Sequence, residues 1–415
     1  MFVPDFEEAD GFASRMIPFV KYTSCGNNFV IVDATENSPA TDLEWSQFAT
    51  HATSTSFGIG CDNLLVVQRA TSNTLNAINK NRNYWDKHPD LSAADFIFRM
   101  FEPNGDEAAC CGNGLICIAD FLRQKHGINI TRIATEIPLS QPNIVSIGSY
   151  DSNSSWVNLG FPRKTPVKLF PFAQGPLLGE HVNVIEDLTI TFRRDDLKAY
   201  TDEQSLKLKG YLVFTGEPHL VIFPDHDFSN QTLANLIFGS TLDDVQSQDQ
   251  RSGIGAWLVH RIGTFINKRC KNLFPEGVSV NFARVNNIDA VQNRCFERGI
   301  NRETLACSTG ALAVAYVVQQ LFGMEINNVN LLPVRCRDEH RDALISIEQT
   351  ESGWRLTTTP YMLFEGNYRM TPINLKTPPL NDYLIIESGL NLHGQKMTLI
   401  SPEAIPIGKS LLRKQ

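Results

Sequence analysis

The feature that most constrains this chain is that it repeats itself. Gly26-Asn27-Asn28-Phe29-Val30-Ile31 is matched by Gly216-Glu217-Pro218-His219-Leu220-Val221. Phe101-Glu102, then acidic and small residues, then Cys111-Gly112-Asn113-Gly114, is matched by Phe296-Glu297 and Cys307-Ser308-Thr309-Gly310. Both matches stand at nearly the same separation along the chain. A repeat of this size specifies two pseudo-symmetric units whose equivalent loops can face one another across a cleft. At 415 residues the chain is long enough for each unit to bury its own core.

Each half carries the same mixture of elements. Runs at 29–33, 64–68, 95–101, 211–214, 219–223 and 278–282 are short, rich in β-branched and aromatic residues, and bounded by Gly, Pro, Asn or Asp, as strands are. The stretches after Cys111 and after Cys307 are almost continuously apolar, which suits helices surrounded by sheet on most sides. The expected fold is therefore α/β (α+β): two domains, each a curved sheet wrapped around a central apolar helix, with the site in the cleft between them. The expected division is 1–165 with Cys111, 166–355 with Cys307, and 356–415 as a strand returning to the first domain plus an extra tail. Residues 70–94 and 240–256 are polar and read as surface loops or polar helices. The tail 371–415 has no assigned role.

Composition narrows the function. A formal net charge of −8 argues against broad binding to nucleic acid or an anionic membrane. No apolar run approaches the ~20 residues that span a bilayer. The acidic N-terminus lacks the apolar core of a secretory signal. The nine cysteines are odd in number and thinly spread, which suits free thiols in a reducing cytoplasm better than a disulfide framework. Cys110, Cys111 and Cys117 cluster, but no second pair completes a zinc pattern, so no metal is expected.

The repeated cysteines define the chemistry. A thiol at a helix N-terminus feels the positive end of the dipole, which favours the thiolate. The small residues after it let backbone N–H groups approach an anion. Two such helix starts meeting at one point would hold a carboxylate and stabilise the enolate-like charge that grows on it when an α-proton leaves. Inverting a stereocentre needs a base on one face and an acid on the other, and a thiolate–thiol pair sharing one proton supplies both. Either cysteine alone reads as well as an inert core thiol; matched positions in the repeat favour the functional role. His219 and Glu297 can exchange protons with the two thiols, His219 with either one and Glu297 with the other, or they can be a structural histidine and a salt-bridged acid.

Several segments together resemble the diaminopimelate epimerase family. They are Ser24–Asp33, Gly58–Val67, Phe101–Gly114, Gly216–Val221, Phe274–Val280 and Glu297–Ala311, in family order across about residues 16–370. The resemblance implies a PLP-independent amino-acid racemase or epimerase with no cofactor, a small amino-acid substrate and no nucleic-acid or membrane partner, with a homodimer left open. It implies Cys111 and Cys307 as the catalytic pair, tuned by His219 and Glu297. Gly112, Asn113, Ser308 and Thr309 would hold the α-carboxylate, and Asn27 and Asn63 would line the site. Where family members grip the far end of diaminopimelate with asparagines, this chain has Glu102, Glu217 and Ser279, while Arg298 is kept. Two carboxylates there disfavour a distal carboxylate and suit a basic amino acid of the lysine, ornithine, arginine or histidine type. Diaminopimelate itself is the alternative substrate, and pairing of the glutamates with Arg298 or a lysine is the alternative role for them. Two other functions are a double-bond isomerase on the same fold, whose members often lack at least one of the cysteine pair, and a non-catalytic amino-acid-binding protein, which would not exchange α-hydrogen with solvent.

Overall fold

A computed structural model describes residues 15–150, 153–171, 176–193, 197–239, 248–287, 290–323 and 328–370. The N-terminal stretch, residues 240–247 of the second polar segment and the tail from 371 lie outside them. The first half consists of β1 (Arg15–Ser24), β2 (Asn27–Ala34), α1 (Asp42–Thr53), β3 (Asn63–Arg69), α2 (Ser72–Arg82), β4 (Phe96–Phe101), β5 (Glu107–Ala108), α3 (Gly112–His126), β6 (Ile130–Thr135), β7 (Asn143–Ser149) and β8 (Ser155–Asn158). Next come β9 (Leu177–Leu178), β10 (Val182–Thr191), β11 (Ser205–Phe214), β12 (Pro218–Ile222), α4 (Pro224–Asp227), α5 (Gln231–Ile237) and α6 (Gln248–Arg269). The chain continues through β13 (Ser279–Asn287), β14 (Ala290–Glu297), β15 (Arg302–Thr304), α7 (Ser308–Phe322), β16 (Asn328–Pro333), α8 (Val334–Glu339), β17 (Ile345–Thr350), β18 (Gly353–Thr358) and β19 (Pro360–Met370).

Strand pairing reads the same from either end. One side runs β19-β1-β2-β3-β4-β6-β7-β8, the other β10-β11-β12-β13-β14-β16-β17-β18, and β8 joins β18 antiparallel. The parallel pairs fall at equivalent places, β2 with β3 and β4 with β6 in one half, β12 with β13 and β14 with β16 in the other. The register repeats as well: Phe29 sits opposite Asn63 as His219 sits opposite Ser279. These are the two pseudo-symmetric sheets expected from the repeat. β19 returns to pair with β1 along its whole length. Among the described residues, no helix is long and apolar enough to cross a membrane.

Each sheet surrounds one helix. α3 is buried from Gly112 to Leu122 and α7 from Ser308 to Val318, apart from Tyr316. Their side chains share one core with inward residues of both sheets, and each fully buried Leu or Ile there contributes about 2 kcal/mol. Both helices end in a left-handed glycine, Gly127 and Gly323, which lets the chain turn back into a strand. Outward residues of β3 such as Leu64 and Val66 pack on Trp45, Phe48 and Ala52 of α1, so β3 is buried on both faces and reads as an unbroken apolar run.

One expectation needs correction. Residues 70–94 are more than a surface addition: α2 and the segment after it bury Leu75, Ile78, Trp85, Leu91 and Ala94 against Ile97, Ala134 and Ile137. Within 240–256, residues 248–256 belong to α6, which packs Leu258, Val259, Ile262 and Ile266 beneath the second sheet.

Candidate active site

The two repeated cysteines cap the two central helices. Cys111 and Cys307 are the N-cap residues of α3 and α7, in extended conformation, and each sulfur accepts the N–H of the glycine three residues on at 3.4 Å, Gly114 and Gly310. Both thiols thus sit at positive helix ends. The helix starts meet: a Cβ on Gly112 would collide with Ser308 Oγ, and Thr309 N lies 3.6 Å from the same point. Asn113 Nδ2 donates to Asn27 Oδ1 at 2.6 Å. Asn113 Oδ1 and Ser308 Oγ are buried without a hydrogen-bond partner, so polar atoms stand ready where the helices converge. Asn27 owes its position to the Cys25-Gly26 turn joining β1 to β2, where both residues have positive φ (48° and 84°) as a two-residue hairpin requires.

The surroundings push the two thiols apart. Cys307 is held below the usual thiol range, first by a hydrogen bond from the Cys295 thiol, then by Thr309 Oγ1 (3.4 Å) and the Gly310 N–H, against the opposing effect of burial. Burial, followed by the nearby Glu297 carboxyl, pushes Cys111 well above that range, and the Gly114 N–H only partly offsets it. Burial also raises Glu297 well above the carboxylate range, with Cys307 adding to the rise, and Thr304 Oγ1 donates to it. His219 is fully buried and lowered to about 3, by burial first and Arg298 second, so it is neutral. Asn281 Nδ2 donates to its Nδ1 at 3.0 Å, which leaves the proton on Nε2, 3.0 Å from Thr309 Oγ1. His219 therefore reaches Cys307 through Thr309.

At the far end of the cavity three charges meet. Glu217 Oε1 accepts the N–H groups of Ala109 (3.0 Å) and Cys110 (3.2 Å), and its Oε2 accepts both Nε (2.8 Å) and Nη2 of Arg298. Arg298 Nη1 donates to the Glu276 carbonyl, and its backbone N–H donates to Ser279 Oγ at 3.3 Å. Glu102 lies beside the backbone of Gly299 (φ 78°), where any Cβ would overlap its carboxylate. Burial pushes Glu102 up to about 7; Arg298 pulls it down, and Glu217 adds to the rise.

All the residues singled out from the sequence line or adjoin one cavity: Asn27, Asn63, Glu102, Cys111, Asn113, Glu217, His219, Ser279, Glu297, Arg298, Cys307, Ser308 and Thr309 form its wall, and Gly112 packs between the helix starts. Of the two glutamates, Glu217 is spent on Arg298 and two backbone groups. The sequence reading passed over Cys295, Asn281 and Thr304, which act behind the wall, and Phe29, Met100 and Ile300 on it. The one legible signal was alternation, since Cys295 shares a strand face with Glu297 and Asn281 with Ser279. Among the described residues, Cys295, Glu297 and Cys307 form the one set with metal-ligand spacing.

Comparisons with known proteins bear on the fold and the reaction class. The model of the diaminopimelate epimerase family, "Diaminopimelate epimerase", matches residues 19–138. A diaminopimelate epimerase of Archaeoglobus fulgidus is 26% identical over 367 residues, covering 86% of this chain and 98% of its own. One of Blochmanniella pennsylvanica is 29% identical over 320 residues, covering 75% and 88%. Among solved structures, a hydroxyproline epimerase from Agrobacterium vitis (13% identity, TM-score 0.50, 86% of this chain and 93% of that one) shares the fold. So does a probable proline racemase from Agrobacterium radiobacter (11% identity, TM-score 0.50, 86% and 94%). The protein is an isomerase, a PLP-independent amino-acid epimerase. It is similar to the diaminopimelate epimerase family, whose model matches its residues 19–138.

Proposed function

We propose that Cys307 and Cys111 invert the α-carbon of an amino acid whose side chain ends in a cation or a cluster of donors. The observation that carries this is the meeting of two thiol-capped helix starts at one cavity. The substrate carboxylate accepts N–H groups from both helix starts. The Cys307 thiolate takes the α-proton on one face, and the electron pair passes into the carboxylate, where the helix dipoles favour it. The Cys111 thiol then gives its proton to the opposite face, leaving the pair with its charge exchanged and ready for the reverse reaction. Neutral His219 orients Thr309 toward Cys307, and Glu297, its carboxyl raised by burial, stands by the thiol pair.

Glu102 is the group proposed to read the side chain. Glu217 neutralises Arg298, while no hydrogen bond to another side chain occupies the Glu102 carboxyl among the described residues. A distal ammonium ~4 Å from Glu102 gains about 4 kcal/mol at an effective dielectric of ~20, and a fraction of that gives more than tenfold discrimination. The second reading is diaminopimelate, the substrate in the names of the relatives. Arg298 at the cavity wall favours it, but binding a distal carboxylate would require Arg298 to release Glu217. Chiral chromatography of lysine, ornithine, arginine, histidine and LL-diaminopimelate, with wild type and Glu102→Gln, separates the two. The expected result is a basic amino acid preferred at least about tenfold in kcat/KM, with the preference lost in Glu102→Gln. Its KM should rise as pH falls through about 7, where Glu102 gains its proton, and this dependence should vanish in the variant. Preference for diaminopimelate, unchanged by the substitution, overturns the role of Glu102.

A cytoplasmic location is supported by the nine cysteines, all of them free; localisation of a tagged chain tests it. A homodimer is supported by the exposed apolar run Tyr361–Phe364 on β19, and sedimentation equilibrium tests that.

A further inference from the structure

Cys295 is a third thiol beside the proposed reaction centre, and the proposed epimerisation passes no proton through it. It lies two residues before Glu297 on β14, so both side chains leave the same face of the strand, toward the sulfur that caps α7. The ligand atoms of Cys295, Glu297 and Cys307 all fall within 4.8 Å of one another. Two ligands of a tetrahedral zinc ion, with bonds of about 2.0–2.3 Å, stand roughly 3.5–4 Å apart, so small side-chain rotations bring all three into range. Cys295 and Cys307 are 2% and 7% exposed.

We propose that Cys295 Sγ, a Glu297 carboxylate oxygen and Cys307 Sγ form a site for a soft divalent cation of the zinc class, whose binding withdraws Cys307 from proton transfer. Two thiolates and one carboxylate select such an ion over magnesium or calcium, which prefer sets made wholly of oxygen. On binding, any thiol or carboxyl proton the three groups carry passes to buffer, two S–metal bonds and one O–metal bond form, and no oxidant is consumed. Outer contacts for the ligands exist: Thr304 Oγ1 donates to Glu297 Oε1, while Thr309 Oγ1 and the Gly310 N–H hold Cys307. Glu297 and Cys307 also line the cavity, so the fourth position opens toward water there. The equivalent place in the other half has Met100, Glu102 and Cys111, with a thioether in place of the second thiolate. The inhibitory part rests on the proposed role of Cys307; the binding does not.

The test uses the full chain. Cadmium is titrated while its thiolate charge-transfer absorption is followed, zinc affinity is measured against a chromophoric chelator, and solvent-deuterium exchange at the substrate α-carbon is read with and without zinc. Wild type should bind one equivalent and lose exchange reversibly, with chelator restoring it. Cys295→Val should lose more than about 100-fold in affinity, since loss of outer contacts alone costs 10–100-fold. Cys295→Ser, checked for fold by circular dichroism, repeats the test with a smaller change of shape. The site is overturned if wild type binds no cation at micromolar concentration, or if binding survives in both Cys295 variants and is lost in Cys111→Ala, which would place the ion across the cleft. Stoichiometric binding with undiminished exchange overturns the inhibitory half, and counts against Cys307 as the base without touching the cation site.

Discussion

The two walls of the cleft share a backbone plan and differ in what they set around the sulfur. Behind Cys307 stand His219, Thr309 and Cys295; at the equivalent positions of the first half stand Phe29, Asn113 and Met100. The first set offers hydrogen bonds to sulfur. In the second, Asn113 is turned toward Asn27, and Phe29 and Met100 offer an apolar surface. The same helix-start geometry therefore yields a thiol held low on one side and one pushed high on the other. In the proposed mechanism these unlike surroundings bias the single shared proton toward Cys111 and away from Cys307. A symmetric pair would have to break that tie at each turnover.

The largest way to break the comparison is to remove either partner. Cys111→Ser and Cys307→Ser should each lower racemisation by roughly 10³-fold or more, as loss of a positioned acid or base does. Cys110→Ala, a buried neighbour outside the proton path, should stay within a few-fold. Near-normal turnover in either serine variant ends the two-base mechanism. For the enantiomer whose α-proton faces Cys307, elimination from a β-substituted analogue should survive in Cys111→Ser and fail in Cys307→Ser.

Much of this plan was legible in the sequence, for a physical reason. A helix that caps itself with cysteine and opens on Gly, Asn, Ser or Thr leaves a local signature, and a repeat writes that signature twice. Strand runs such as 64–68, covered on both faces, are likewise visible as unbroken apolar stretches. What resisted reading depends on contacts between distant elements. Glu217 and Arg298 come from different strands, and nothing local says they pair. Cys295 lies next to Cys307 because a hairpin strand passes under a helix start. Trp85 and Leu91 stand in a polar stretch with no helical or strand period, so their burial against α2 leaves no pattern.

A smaller effect tests the relay. Thr309→Val removes both the hydroxyl that touches Cys307 and the partner of His219 Nε2. With that donor lost, the Cys307 pKa rises. The base is the thiolate, so the acid limb of the kcat/KM profile should move to higher pH, with activity at neutral pH falling about tenfold. His219→Phe, which imports the residue of the other half, should move the limb in the same direction by less. An unmoved limb in Thr309→Val would show that the hydroxyl does not tune the thiol.

The smallest expected effect comes from making the apolar wall resemble the polar one. Met100 occupies the position that Cys295 holds in the other half, one residue before the paired phenylalanines Phe101 and Phe296. Met100→Cys would set a thiol donor beside Cys111, as Cys295 stands beside Cys307. Two forces then compete. Burial and Glu297 still hold Cys111 high, and one S–H donor is a weak hydrogen bond, so the imported thiol should narrow the gap between the sulfurs without reversing it. With limiting iodoacetamide and no substrate, peptide mapping of wild type should find Cys307 alkylated first, although Cys111 is the more exposed of the two. In Met100→Cys the preference should shrink by a few-fold while turnover changes little, since the pair still shares one proton. Thiolate content and exposure make opposite predictions for wild type, which is what gives the measurement its force. Alkylation of Cys111 first would mean that access, and not the hydrogen bonds around Cys307, sets the asymmetry of the cleft.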